Sequence, residues 1–141
     1  MRVITQYFAL IASVAERSGA ASVEVEFDQI DQVSGIIDGT LYFYDGSRLE
    51  FTERVAIEER HPVKSVYRYQ YVRAGEAVLR YDNASHHPDL PTFPHHKHVG
   101  NERMPAAEPT LSQVLNEVAS LLGEEAEAPP PAPRRQRRAR R

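Results

Sequence analysis

At 141 residues and a net charge of −3, the chain has the length of one domain, with room for a sizeable core but not for a second catalytic domain. It has no cysteine, which excludes disulfides, thiolate zinc sites and cysteine nucleophiles, and no run approaches the roughly 18 apolar residues that span a membrane. Charge is uneven: residues 1–123 hold eleven basic and seventeen acidic groups, whereas 124–141 hold six arginines and three glutamates, so so acidic a body excludes nucleic-acid binding through its overall field and leaves a local patch or the tail.

Val3, Tyr7, Leu10, Ile11 and Val14 recur at helical spacing and predict a helix over about 3–17, closed by Ser18-Gly19. Thr5, Gln6 and Tyr7 interrupt the apolar run, which argues against a signal peptide, and the expected location is the cytoplasm. Val23 to Phe27 alternates strictly and predicts a strand, and a second strand over 35–44 contains Gly39, expected at a bulge. Asp45-Gly46-Ser47 is a hairpin turn into a strand over 48–57. Leu41, Phe43, Leu49 and Phe51 share its inner face. Glu53 would point the same way, at the rim, paired or part of the site, with a solvated strand end as the favoured setting. His61-Pro62 reads as a surface connection into a strand over 63–73, whose Tyr67, Tyr69 and Tyr71 alternate with Arg68 and Gln70. Ala74-Gly75-Glu76 then turns the chain into a last strand over 77–82.

These elements form a meander of four to five antiparallel strands. A second helix follows from the Thr110-x-x-Gln113 capping box and the stripe Leu111, Val114, Leu115, Val118, Leu121 and Leu122, closed by Gly123. The expected fold is therefore α+β: the meander packed with an N-terminal and a C-terminal helix, in one domain over 1–123. The apolar stripe serves the core or a second chain, so a homo-oligomer is among the expectations. Residues 124–141, acidic, polyproline and then arginine-rich, are expected to form a disordered tail, either a solvated end or a salt-sensitive tether to RNA.

Five of the six histidines fall in one stretch, as His86-His87 and as His95-His96-Lys97-His98. Pro88, Pro91 and Pro94 are expected to hold the backbone between them extended. Imidazole changes its charge near neutrality, so such a cluster points to proton transfer or to ligand binding. The stretch Arg80-Tyr-Asp-Asn-Ala-Ser-His-His87 followed by Phe93-Pro-His-His-Lys-His98 resembles the TumE family of prokaryotic toxin–antitoxin proteins. The likeness continues into Gly39-Thr-Leu-Tyr-Phe-Tyr-Asp-Gly-Ser47 and Pro109-Thr-Leu-Ser-Gln-Val-Leu115 and covers roughly residues 4–122, with Ser85 where the family pattern has proline. The resemblance implies a small toxin encoded beside a DNA-binding antitoxin, its cognate partner. The motif positions it carries over are Arg80, Asp82, Asn83, His86, His87, His95, His96, Lys97 and His98.

The residue types suit metal-free RNA cleavage. One histidine takes the 2′-hydroxyl proton, another protonates the leaving oxygen, and cations hold the phosphate. His87 and His96 are the first choices for acid and base, with His98 and Arg80 beside them. Lys97, Asp82, His86, His95, Arg68 and Tyr69 would contact or orient the RNA, the tyrosine by stacking on bases. That reading needs no cofactor. Two alternatives stand beside it. His96-x-His98 with Asp82 and one of His86 or His87 could ligate a divalent metal, or the protein could bind nucleic acid without cleaving it.

Overall fold

The computed structural model describes residues 1–84 and 90–126. Nine elements follow in order: α1 (Ile4–Glu16), β1 (Ser22–Gln29), β2 (Ser34–Tyr42), β3 (Arg48–Glu58), β4 (His61–Arg73), β5 (Glu76–Asp82), β6 (His96–Val99), β7 (Glu102–Pro105) and α2 (Leu111–Ala126). Among the described residues the strands make one antiparallel sheet in sequence order, β1 to β7. The expected meander is therefore right in kind, but it has seven strands rather than four to five. The missing pair is β6 and β7, which are built from the histidine stretch and the residues after it.

Hairpin chemistry sets the topology. Gly46 and Gly75 take positive φ (89° and 79°) at two of the turns. The β3–β4 connection is tighter than His61-Pro62 suggests, because Glu59 and Arg60 turn with φ of 51° and 70°, the conformation that matches strand twist in a two-residue hairpin. Gly39 lies in regular pairing with Val25 and Phe51 and makes no bulge. Its missing side chain leaves the space that the Phe51 ring fills. The register instead shifts between Arg54 and Val55, opposite Ser65, and between Tyr71 and Val72.

Both helices lie on one face of the sheet. Ile4, Tyr7, Phe8, Ile11 and Ala15 of α1 and Leu111, Val114 and Val118 of α2 share a core with Ile37, Leu41, Leu49, Phe51, Tyr69, Tyr71 and Leu79. Gln6 Oε1 accepts the Arg2 and Val3 N–H groups at the start of α1. The expected box starts α2: Thr110 Oγ1 accepts from the Gln113 N–H and Gln113 Oε1 from the Thr110 N–H. α2 continues through Gly123 to Ala126, three residues past the expected end; the proposed tail from 127 on lies outside the described residues.

The alternate side chains point to the sheet's other face, which no helix of the described residues covers. Register places Glu24, Thr40, Glu50, Gln70, Arg80, His98 and Arg103 in one row across it, and Glu26, Asp38, Thr52, Arg68, Asp82 and His96 in the next. In these two rows the acids lie on β1–β3 with Asp82 of β5 as the exception, and the bases lie on β4–β7.

Candidate active site

The pairing of β5 with β6 sets Arg80 opposite His98 and Asp82 opposite His96. Because side chains alternate along a strand, these four emerge together on the open face. Asp82 Oδ1 lies 2.8 Å from His96 Nε2, and Asp82 Oδ2 lies 2.9 Å from Arg80 Nε. The Arg80 guanidinium also donates through Nη2 to His98 Nε2 at 3.1 Å. The His96 and His98 rings meet edge to face, 4.9 Å between centroids.

Donor and acceptor counting assigns the protons. His96 Nδ1 is 2.9 Å from the Pro94 carbonyl oxygen, which can only accept, so Nδ1 carries hydrogen. Nε2 faces the Asp82 carboxylate. A guanidinium can only donate, so His98 Nε2 offers a lone pair. Pro94, His96, Asp82, Arg80 and His98 thus form one line of polar contacts that ends at His98 Nε2. Asp82 also accepts from the Ala84 N–H at 3.1 Å. His96 is 1% exposed and Asp82 5%, while Arg80 and His98 are half-buried; the inner pair is support and the outer pair is presented.

Arg68 stands opposite Asp82 on β4 and donates to Gln70 Oε1 at 2.7 Å. Val66, Arg68, Arg80 and Asn83 line an open cleft beside the four residues. Asn83 fixes its edge, accepting from the Tyr67 N–H at 3.0 Å and donating to the Ser65 carbonyl at 3.0 Å. Among the described residues, Asp82, His96 and His98 are the trio able to ligate a metal, with ligand-type atoms all within 4.8 Å of one another.

A family model for the toxin TumE matches residues 8–124, most of the chain. The chain belongs to the TumE toxin family. It is therefore the toxin of a toxin–antitoxin module, and a cognate antitoxin is its partner. No curated protein and no solved structure matches it. No helix among the described residues is long and apolar enough to cross a membrane.

In this TumE toxin the histidine motif divides between the two faces of the sheet. Lys97 follows the alternation to the helix side, where Nζ pairs with Glu117 Oε2 at 2.8 Å and lies over the Tyr81 ring. Burial pulls the Lys97 pKa down, but the hydrogen bonds to Glu117 and Tyr81 outweigh it and leave it raised. It lies on the face opposite Arg80. His95 also stands apart: its Nδ1 lies 2.9 Å from the Tyr67 hydroxyl, with the two rings stacked. Burial, foremost, raises the Tyr67 pKa, so the phenol keeps its proton. Residues 91–94 turn rather than extend, with the His95 N–H donating to Thr92 O. His86 and His87 lie outside the described residues.

Tyr69 is fully buried, as are Tyr67 and Tyr71, so no ring face remains on which a base could stack. Glu53 is no solvated strand end either, being 0% exposed. Its carboxylate accepts from the Tyr7 hydroxyl at 2.5 Å and from the Tyr69 hydroxyl, with Lys64 Nζ 3.7 Å away. Lys64 donates to Tyr69 Oη at 2.7 Å and to Pro109 O at 2.6 Å. Burial, foremost, lowers its pKa. Strict alternation from Tyr67 would put Lys64 on the open face; the extra residue Ser65 at the register shift turns it inward. Sequence alternation gave the direction of Glu53, and nothing in the sequence marked Lys64 as its partner.

Proposed function

We propose that this toxin is a cytoplasmic endoribonuclease that cleaves RNA by histidine proton transfer without a metal. The observation that carries the reading is the Arg80 guanidinium, held by Asp82 Oδ2 at 2.9 Å and set against the His98 Nε2 lone pair at 3.1 Å on an open sheet face. An RNA phosphate is the natural ligand of a guanidinium so presented. When the phosphate takes Nη2, it releases His98 Nε2 to accept the 2′-hydroxyl proton. The 2′-oxygen then attacks phosphorus, the bond to the 5′-oxygen breaks, and a second histidine protonates that oxygen. His87 is our choice for the acid. His96, with both ring nitrogens engaged, positions Asp82 and through it Arg80. Arg68 offers a second cation in the cleft for the neighbouring nucleotide.

The test is to incubate the purified full chain with total bacterial RNA, with and without excess chelator, and to map fragment ends. Cleavage that survives chelator and leaves 2′,3′-cyclic phosphate ends is the expected result. His98→Ala and His87→Ala should each reduce it by about 10²–10⁴-fold, the usual share of one acid or base. Cleavage lost with chelator would turn these histidines into metal ligands. Absence of cleavage in both tubes would make the basic face a binding surface only.

A further inference from the structure

We propose that Asp82, His96 and His98 form a binding site for a zinc-class divalent cation, which competes with Arg80 for the same atoms. Three ligand-bearing residues converge here: Asp82, His96 and His98 each bring one ligand-type atom, a carboxylate oxygen or a ring nitrogen, and these lie within 4.8 Å of one another. Ligands about 2 Å from a tetrahedral ion sit about 3.3 Å from one another, so a contraction on the order of 1 Å seats the ion. Two imidazoles and a carboxylate are a borderline donor set that favours zinc or cobalt over magnesium or calcium.

Two further features fit a ligating role. His96 donates Nδ1–H to the Pro94 carbonyl at 2.9 Å; a metal-bound imidazole usually gives its other N–H to such an acceptor, which fixes the ring with the remaining nitrogen aimed at the ion. Nε2 also lies 2.8 Å from the buried Asp82 carboxylate, so two ligand-type atoms already stand side by side. Strand pairing supplies the preorganisation, since His96 and His98 are two residues apart on β6 and Asp82 is directly across on β5. The protein's own occupant is the guanidinium, bonded to Asp82 Oδ2 and His98 Nε2. An ion and Arg80 cannot both use these atoms, and their like charges repel. Metal entry therefore expels Arg80 from its place.

Cation binding stands apart from any RNA chemistry; only its consequence, inhibition by zinc, rests on the ribonuclease reading. The test titrates the metal-free full chain with cobalt(II), reads the visible absorption of tetrahedral cobalt, and then adds zinc. The expected result is one saturable site, displaced by zinc and not by magnesium. His98→Gln should weaken it at least tenfold, as should Asp82→Asn, and Arg80→Ala should tighten it at least tenfold by removing the competitor. A circular dichroism spectrum checks each variant's fold, and the half-buried His98 carries the test if Asp82→Asn does not fold. No tetrahedral absorption, or the same affinity in His98→Gln, overturns the site. Unchanged affinity in Arg80→Ala overturns the competition. If RNA cleavage is found, zinc at site-saturating concentration should abolish it, and cleavage that persists would overturn the exclusion of Arg80.

Discussion

Asp82 and His96 face each other across β5 and β6 with 2.8 Å between Oδ1 and Nε2, both sealed from solvent at the edge of an otherwise open face. A buried polar pair of this kind costs most when one partner is removed, because the other stays desolvated. Asp82→Ala leaves both His96 and Arg80 without their acceptor. It should lower the unfolding free energy by about 3 kcal/mol in urea titration. A double-mutant cycle with His96→Gln should show coupling on the order of 1 kcal/mol or more. Strict additivity of the two substitutions would mean that the pair does not act as a unit.

Lys97→Ala separates the two faces functionally. Its ammonium bonds to Glu117 beneath the sheet, partly exposed, so its loss should cost no more than about 1 kcal/mol of stability. On the ribonuclease reading, cleavage should stay at the wild-type rate, since Lys97 lies on the face opposite Arg80. A tenfold or larger drop in cleavage, with the fold intact, would place the ammonium at the substrate and contradict the division of the motif.

What the sequence discloses and what it hides follow one rule. Where a strand is half-buried, alternation makes its register legible, as for Leu49 and Phe51 or for Tyr67, Tyr69 and Tyr71. That legibility gave the meander, both helices and the shared face of Arg80 and Asp82. Tyr69 reads as a stacking residue in the sequence because an alternating aromatic strand looks the same whether its rings meet a core or a base. His96 to Val99 carries polar side chains on both faces, with Pro94 before it, so neither pattern nor composition marks a strand. Once it is known to be a strand, alternation at once sends Lys97 one way and His96 and His98 the other. Lys64 was hidden for a different reason: a single extra residue at Ser65 inverts its face, and insertions of that kind leave no periodic trace.

Glu53→Gln tests the polar cluster beneath the sheet. The carboxylate accepts from the Tyr7 and Tyr69 hydroxyls and offsets the charge of Lys64, three groups drawn from α1 and β4 around a β3 residue. An amide keeps one strong acceptor oxygen and brings two hydrogens toward donors. It should destabilise the fold by about 2–4 kcal/mol in urea titration, from unsatisfied donors and an uncompensated lysine. Restoring neutrality with Glu53→Gln plus Lys64→Met should recover part of the loss. If the double variant is no more stable than Glu53→Gln alone, the lysine charge is not what the carboxylate offsets.

The same cluster sets the response to alkali. Burial, foremost, and then the Glu53 carboxylate push the phenols of Tyr7 and Tyr69 far above their usual 10.0. Above that value the unfolded chain releases phenolic protons that the folded chain retains, so the unfolded state gains as pH rises. The stability these two protonated phenols provide is whole below pH 10 and is lost progressively above it, at about 1.4 kcal/mol per pH unit for each phenol. Lys64 acts in the opposite sense. Its lowered pKa favours the fold as pH rises, but only up to 10.5, where the unfolded lysine also releases its proton. Beyond that point the phenols decide the slope. Urea midpoints should therefore fall steeply above pH 10.5, with the phenolate absorbance of Tyr7 and Tyr69 appearing only as the chain unfolds. Tyr7→Phe should flatten the fall by about one phenol's share. Phenolate absorbance from all seven tyrosines before unfolding would show that the cluster is open to solvent.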